Sequence, residues 1–326
     1  MKTKLILLCF IVIFFTCKQS ELINIKLSGL VFGTSYTIIY HGDRNYEKEF
    51  DSLFYVINKS MSTYVKNSDI SKWNRNESVA LDQHFLKVFE VSKTIYENTD
   101  GMFDPTIGAI VNAWDFGPEG KVVNLDSLKI DSLMISVGLD KLDRVGANVV
   151  KSYPGTYLDF NAIAKGYAVD VIANFLDSKQ IRDYLVEVGG EIQSKGVNQK
   201  SSKPWAVGID WPNFDGSQSV LKAINLMDEA MATSGTYRKF KIDENGNRYA
   251  HIIDASSGYP SKTKVLSVSV IADSCMVADA YATAFQAMGV ERVKGFLNSR
   301  PGIKVFFIFE NEKKQLETLS LNGFPE

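Results

Sequence analysis

Cysteine and histidine are scarce in this chain, which has three of each among its 326 residues. Cys9 lies in an N-terminal apolar run, and Cys17 follows that run directly. If the run is removed and Cys17 is modified, only Cys275 is left. The sequence therefore excludes an intramolecular disulfide and a cysteine-rich metal site.

The chain also lacks an excess of charge of either sign. It has 36 Lys and Arg against 38 Asp and Glu, a net charge of −2. No run of Lys and Arg is longer than two residues. Proteins that bind nucleic acid usually carry a basic patch or stripe. We therefore expect no nucleic acid among its partners.

A long apolar run is missing as well. Residues 5–15 are apolar, well under the ~20 residues needed to span a bilayer. They follow the basic start Met1-Lys2-Thr3-Lys4, an order typical of a secretory signal. Because Cys17 comes next, we predict a lipoprotein signal peptide at residues 1–16, and an ordinary signal or short anchor is the alternative. The protein would then be exported, lipid-anchored to a membrane at Cys17, and facing the periplasm of a bacterial envelope.

Removal of 16 residues leaves 310, enough for one large or two ordinary domains. We predict a tether over residues 17–24 and a folded unit over residues 25–326. Strands and helices interleave without the regular alternation of a doubly wound domain. The pattern predicts an α+β fold with mixed sheets, packed helices and two intimately associated lobes.

The central segment of the chain runs from Leu158 to Asp170. We predict a strand over residues 156–158 that leads into a helix with Asn161 as its N-cap. Lys165 then lies in the first turn, where the helix dipole favours anions, and Gly166 costs roughly 1 kcal/mol inside a helix. An anion bound at this helix end would explain both residues. A solvated lysine beside a glycine that packs helices explains them equally well.

Two oxygen-bearing side chains, those of Asp279 and Thr283, stand four residues apart on one predicted helix face. Oxygen ligands suit Mg²⁺ rather than zinc. The alternative is that Asp279 offsets the helix dipole and Thr283 bonds a carbonyl in its own helix. The loop over residues 112–126 offers no phosphate site, because its Gly and Lys are too closely spaced for a P-loop.

His251 lies at the end of a predicted strand over residues 248–254. An imidazole titrates close to neutral pH, so His251 is a candidate general base with Asp254 to orient it. A structural histidine is the alternative. We also predict a loop over residues 61–74, and a bulge or a ligand approach at the glycine pair 189–190. Helices are expected over residues 45–59, 83–98 and 276–289, and another helix is expected after residue 289.

At least six separated segments of the chain resemble, in order, the FAD:protein FMN transferases, or ApbE-type flavin transferases. The segments include Gly33-Thr34, Ser62-Thr63-Tyr64, Gly101–Thr106, Asp159–Asp170, Thr233-Ser234-Gly235, His251–Asp254 and Ala278–Thr283. Phe32 departs from the family, in which methionine is usual at that position. The resemblance covers nearly all of the mature chain and implies a flavin transferase domain over residues 25–326.

The resemblance assigns roles to individual residues. It implies that His251 and Asp254 are catalytic and that the Asp279 and Thr283 side chains, with the Ala162 carbonyl, hold Mg²⁺. The residues implied to bind FAD are Phe32, Tyr64, Met102, Phe103, Asp104, Asp159, Lys165, Ile252 and Ile253.

The activity implied by the resemblance is Mg²⁺-dependent transfer of the FMN half of FAD to a partner protein. The acceptor would be a Ser or Thr hydroxyl of an exported or membrane-bound redox subunit, and AMP would be released. Three alternatives remain open from the sequence: an FAD pyrophosphatase that uses water, a non-catalytic flavin-binding lipoprotein, and a general solute-binding lipoprotein.

Overall fold

The computed structural model describes residues 22–242 and 248–326. The predicted signal peptide, Cys17 and most of the tether therefore lie outside the described residues. The first strand begins at Ile23, two residues earlier than the predicted start of the folded unit. Within the described residues, no helix has the length and apolar character needed to cross a membrane.

The helices and strands follow one another in an irregular order. The helices are α1 (Glu47–Met61), α2 (Asp69–Asn74), α3 (Gln83–Asn98), α4 (Gly108–Ala113), α5 (Ser127–Met134), α6 (Ala164–Ser178) and α7 (Cys275–Leu297). The strands are β1 (Ile23–Val31), β2 (Thr34–Gly42), β3 (Leu142–Val145), β4 (Asn148–Lys151), β5 (Tyr184–Val188), β6 (Glu191–Lys195), β7 (Trp205–Asp210), β8 (Val220–Leu226), β9 (Ala230–Gly235), β10 (Phe240–Ile242), β11 (Arg248–Ala250), β12 (Val265–Ala272), β13 (Lys304–Glu310) and β14 (Leu316–Leu321).

Eight strands form one large sheet in the order β1-β2-β5-β6-β9-β12-β13-β14. The α+β class is thereby confirmed, but the predicted mixture of strand directions is wrong. Every strand pairing within the described residues is antiparallel, and a parallel contact occurs only as an isolated bridge between Ile107 and Tyr157. Short hairpin connections such as β1–β2 and β5–β6 impose this direction.

Both faces of the large sheet are covered. Alternate residues of a strand point to opposite faces, so Val268 and Val270 of β12 enter the main core with the helices. Ile271 points the other way and packs with Val207 of β7 and Ile224 of β8. All eight residues of β12 are consequently buried.

Helix α6 is fixed against the N-terminal end of α7. The Asp170 carboxylate on α6 accepts hydrogen bonds from the Cys275 and Met276 backbone N–H groups, at 2.8 and 3.0 Å. It also accepts one from the Ser274 hydroxyl at 2.7 Å. A carboxylate at this position satisfies free N–H groups and favours the helix dipole. The contact holds the middle of α6 against the start of α7.

The structure bears out several local predictions and corrects others. Helix α3 has the predicted bounds, and Gly289, with φ of 76°, divides α7 into the two predicted helices. The stretch 156–158 is not a strand, and α6 starts at Ala164 with Ile163 as its N-cap. Asn161 cannot cap this helix because it lies too early. Its own backbone N–H donates to the Asp159 carboxylate.

A further correction concerns the loop predicted over residues 61–74. Helix α2 occupies its second half, because the Ser68 hydroxyl accepts a hydrogen bond from the Ser71 N–H and caps the helix.

Candidate active site

A cavity of about 1130 Å³ opens where the turns of the large sheet meet α6 and α7. The β1–β2 turn, the β5–β6 turn and the end of β9 contribute to its wall. All the predicted site residues except Asp254 line it. They are Phe32, Tyr64, Met102, Phe103, Asp104, Asp159, Ala162, Lys165, His251, Ile252, Ile253, Asp279 and Thr283. The structure thus brings together residues that are up to 251 positions apart.

Two tight turns present their backbone to the cavity. Gly189 and Gly190 have φ of 62° and 100° and join β5 to β6 as a two-residue hairpin turn, so the predicted bulge is wrong. Phe32 and Gly33, with φ of 51° and 75°, do the same between β1 and β2. A Cβ on Gly189 would lie 2.8 Å from Cγ2 of Thr34. The two turns therefore approach each other closely at the cavity wall.

Lys165 does not stand free at the start of α6. Its Nζ lies 2.6 Å from Oε1 of Glu191, which is 3% exposed. Although burial opposes the charge, Glu191 and Asp279 raise the pKa of Lys165 above its usual value. Burial raises the pKa of Glu191, and the Lys165 ammonium opposes that rise. The ion pair keeps a cation at the helix end where an anion contact was one of the two interpretations of the sequence.

Asp279 and Thr283 both face the cavity from α7, as predicted from their spacing. Oδ2 of Asp279 accepts a hydrogen bond from the Gly166 N–H at 3.0 Å. Burial raises the pKa of Asp279, and Lys165 opposes this. A Cβ on Gly166 would lie 2.3 Å from the Cys275 carbonyl oxygen, so glycine is required for the close approach of α6 to Asp279. No cluster of three or more His, Cys, Asp or Glu residues suited to a metal occurs within residues 22–242 and 248–326.

The His251 imidazole has a defined partner. Its Nδ1 lies 3.0 Å from the Lys239 carbonyl oxygen. A carbonyl can only accept, so Nδ1 carries the proton and Nε2 retains a lone pair. Burial, with contributions from the Lys239 and Lys165 charges, lowers the pKa of His251 to about 4. The ring is therefore neutral at pH 7 and able to accept a proton.

Asp254 does not orient His251, which corrects the role predicted for it. Its Oδ1 accepts hydrogen bonds from the Ser256 N–H and hydroxyl, at 2.9 and 2.6 Å. A carboxylate that closes a turn two residues ahead is engaged locally. The Lys239 carbonyl takes the place that the prediction gave to Asp254.

Two buried carboxylates shape another part of the wall. Asp104 accepts hydrogen bonds from the N–H and hydroxyl of Thr106, and Asp159 accepts one from the Asn161 N–H. Burial raises the pKa of Asp104 to about 6. The Asp159 N–H donates to the Pro105 carbonyl and joins the two turns. Their remaining acceptor capacity suits the N–H and O–H groups of a nucleotide.

Another part of the wall is apolar. Met102, Phe103, Ile252 and Ile253 are buried, and the Phe32 ring packs edge-on against Phe54 at 5.7 Å. Tyr64 is 59% exposed and lines the cavity at its open side. Such a surface suits a planar aromatic ring.

Phe116, Glu191 and Lys239 are among the wall residues that were missed in the sequence. Glu191 had a signal, since it is an acidic residue directly after a glycine pair at a strand end. Phe116 and Lys239 had none, because their importance comes from residues distant in the chain.

The comparisons with known proteins agree on one family. The sequence model described as the ApbE family matches residues 32–307. The chain belongs to the ApbE family. The predicted family is confirmed, and with it the assignment of the protein as an enzyme of the flavin transferase class.

The chain is similar to two curated proteins named FAD:protein FMN transferase. The one from Vibrio cholerae is 38% identical over 280 residues, which cover 82% of this chain and 83% of that protein. The one from Haemophilus influenzae is 34% identical over 290 residues, 84% and 83% of the two chains.

Solved structures give the same result. The flavin transferase ApbE from Vibrio cholerae superposes with a TM-score of 0.82 at 34% identity, covering 92% of this chain and 97% of that one. The apo form of the Pseudomonas stutzeri flavinyl transferase ApbE gives 0.80 at 28% identity, covering 92% and 95%.

Proposed function

We propose that this member of the ApbE family transfers the FMN half of FAD to a Ser or Thr hydroxyl of an exported redox protein and releases AMP. The observation that carries the proposal is the composition of one cavity. It combines an apolar wall, the Lys165 cation, hard oxygen donors and the neutral His251 imidazole. Its volume of about 1130 Å³ exceeds the ~300–1,000 Å³ of ordinary ligand pockets, and so suits a dinucleotide.

The oxygen donors of the cavity fit Mg²⁺. The carboxylate of Asp279, the hydroxyl of Thr283 and the carbonyl of Ala162 would hold it, and hard oxygen ligands with retained waters are what this ion prefers. The Gly166 N–H donates to Oδ2 of Asp279. Oδ1 of Asp279 accepts no hydrogen bond from the described residues. When bound, Mg²⁺ would offset phosphate charge and polarise the phosphorus under attack.

Charge balance supports a metal in addition to Lys165. The pyrophosphate of FAD carries two negative charges. One ammonium at about 4 Å contributes only ~4 kcal/mol at an effective dielectric constant near 20. Lys165 is also shared with Glu191 at 2.6 Å, which reduces the charge it offers to a phosphate. Lys165 alone is therefore too weak a partner for the pyrophosphate.

The chemistry assigned to the protein side chains is a proton transfer and charge stabilisation. Nε2 of His251 accepts the proton of the acceptor hydroxyl as the hydroxyl oxygen bonds to the phosphorus of the FMN half. The bond from that phosphorus to the oxygen of the AMP half breaks, and its electron pair leaves with AMP. Lys165 stabilises negative charge on the phosphates during this exchange.

We propose further that the enzyme works outside the cytoplasm as a lipoprotein anchored at Cys17. The proposal is supported by the basic start, the short apolar run and the position of Cys17. An exported, membrane-attached enzyme would meet acceptor subunits in the same compartment.

Product analysis tests the proposed activity. The fragment after Cys17 is incubated with FAD and Mg²⁺, with and without the soluble domain of an exported redox subunit, and AMP and covalent flavin are followed by mass spectrometry. AMP that appears only with acceptor, together with an FMN adduct, supports transfer. AMP with free FMN and no adduct would indicate a pyrophosphatase, and FAD that binds unchanged would indicate a carrier.

A further inference from the structure

The segment that carries His251 is weakly attached to the large sheet. His251 follows β11, and among the described residues β11 pairs with β10 alone. An isolated two-stranded ribbon is marginally stable in water. Contacts from another part of the chain must therefore hold the imidazole in place.

Apolar clusters hold Ile252 and Ile253, which follow His251, and residues 114–116, the three residues that follow α4, supply further contacts. The Trp114 ring lies 5.6 Å from the Tyr249 ring and 6.0 Å from the Tyr259 ring, centroid to centroid. Its Nε1 donates a hydrogen bond to the Gly258 carbonyl at 2.9 Å. Trp114 thus contacts the chain on both sides of His251.

Its neighbour Asp115 forms an ion pair with Lys241 in β10. The chain at Asp115 has φ of 63°, an uncommon value for a residue with a side chain. Trp114 and Asp115 therefore each have a partner on the segment that includes β10, β11 and His251.

Phe116 contacts the imidazole itself. The two ring centroids are 6.2 Å apart and the rings are inclined at 63°. The Phe116 side chain is buried and lines the cavity. Its carbonyl accepts a hydrogen bond from Nζ of Lys239 at 3.3 Å. Lys239 is the residue whose own carbonyl fixes the proton on Nδ1 of His251, so Phe116 holds His251 both directly and through Lys239.

We infer that residues 114–116 position the His251 imidazole and that Phe116 is the positioning residue in contact with it. The inference rests on the proposed function, because proton transfer by His251 is the step for which the imidazole is positioned. The placement of the ring can be measured separately from any activity.

The electrostatic surroundings of His251 give the test its direction. Two cations face the imidazole, Lys239 from the connection before β10 and Lys165 from α6, and both disfavour a second proton on the ring. Phe116 adds an apolar surface that excludes water. Without that ring, water reaches the imidazole, and its pKa rises toward the usual value of about 6.5.

The test compares three variants of the mature protein. Phe116→Leu removes the aromatic ring and keeps an apolar side chain, and Phe116→Tyr keeps the ring. Phe214→Leu is the matched control, because the Phe214 ring stacks on Arg248 of the same ribbon at 3.9 Å and does not line the cavity. Thermal unfolding shows that each variant is folded before the comparison is made.

Two readouts are taken. The first is the ¹⁵N spectrum of the imidazoles across pH, in which three histidines give few signals and a His251→Asn sample assigns one of them. The second is the kcat and KM of FMN transfer. In Phe116→Leu we expect the Nδ1-protonated form of His251 to lose population and its titration to move up by about one pH unit. We expect kcat to fall by about 10- to 100-fold with KM for FAD changing less, since a displacement of about 1 Å costs up to 10².

Phe116→Tyr should restore the His251 signals and most of kcat, and Phe214→Leu should leave both unchanged. The inference is overturned if folded Phe116→Leu keeps the wild-type tautomer and titration of His251, or if Phe214→Leu changes them equally. Failure of the proposed function has a different signature, namely His251→Ala transferring FMN at the wild-type rate whatever the spectra show.

Discussion

The Nζ atom of Lys165 lies 2.6 Å from Oε1 of Glu191, while Oε2 of the same carboxylate has no hydrogen-bond partner among the described residues. The two side chains are unequally buried, at 31% exposed for Lys165 and 3% for Glu191. The pair is therefore asymmetric: loss of the lysine leaves a buried acid, whereas loss of the acid leaves a cation with access to solvent.

This asymmetry predicts the stability of two variants. In Lys165→Met, burial without a cation raises the pKa of Glu191, so the folded protein keeps a proton that the unfolded chain releases above a pH of about 4.3. Its free energy of unfolding should fall as the pH rises, and should be about 3 kcal/mol below wild type at pH 8. Urea denaturation at pH 5 and pH 8 measures this.

Glu191→Gln is the matched control. It keeps the shape of the side chain and leaves Lys165 beside Asp279, so we expect a loss of about 1 kcal/mol that changes little with pH. Equal losses in the two variants at both pH values would show that the pair is not asymmetric in the way its burial indicates.

The second prediction concerns the pH dependence of transfer. A base is active when unprotonated, so activity is lost as the pH falls through its pKa. Because the pKa of His251 is lowered to about 4, kcat at saturating FAD should stay nearly constant from pH 8 down to about 5, whereas protonation of Asp104, whose pKa is about 6, acts on the KM for FAD. A loss centred near 6.5 would contradict this account. His41→Asn, at a half-buried histidine that pairs with Asn24 and does not line the cavity, should leave the profile unchanged.

The third prediction tests the contact between α6 and α7. A methyl group at Gly166 would meet the Cys275 carbonyl at 2.3 Å and Cβ of Asp279 at 2.8 Å. Gly166→Ala should therefore destabilise the protein by about 1–3 kcal/mol and raise the Mg²⁺ concentration needed for half-maximal activity. Gly295→Ala in α7 meets nothing within 4 Å and should stabilise by up to about 1 kcal/mol. Calorimetry and a Mg²⁺ titration of each variant distinguish the two sites.

The fourth prediction concerns the N-terminus. Cys17→Ser removes the thiol that the lipoprotein signal would present for acylation. The variant should leave the membrane fraction, or retain an uncleaved signal, while the activity of its folded part is unchanged. Fractionation with mass spectrometry of the N-terminal peptide measures this, and a Cys9→Ser variant is the control. An unmodified Cys17 in wild-type protein would disprove the anchor.

Local structure and the membership of the site could be predicted from the sequence. The bounds predicted for α3 from its apolar spacing agree with the structure at both ends. The resemblance predicted that His251, Lys165 and Asp279 lie in one site, and all three line the cavity. These features depend on neighbouring residues or on motifs whose residue types are specific.

The strand directions and the partners of the site residues could not be predicted. Strand β2 pairs with β5 more than 140 positions away, and a strand pattern does not specify its distant neighbour. The Lys239 carbonyl that holds His251 is a backbone group, which every residue possesses, so residue type gives no signal. Asp254 was given that role because its side chain is distinctive, yet it bonds Ser256.

The measurement that tests the central claim most directly is the intact mass of a purified acceptor domain after incubation with FAD, Mg²⁺ and enzyme, compared for wild type, His251→Ala and Asp279→Asn. We predict one FMN adduct per AMP released by wild type, and a rate at least about 10²-fold lower for His251→Ala. Asp279→Asn should need a far higher Mg²⁺ concentration to reach its maximal rate of transfer. Adduct formation at the wild-type rate by both variants would contradict the assignment of the chemistry to this cavity.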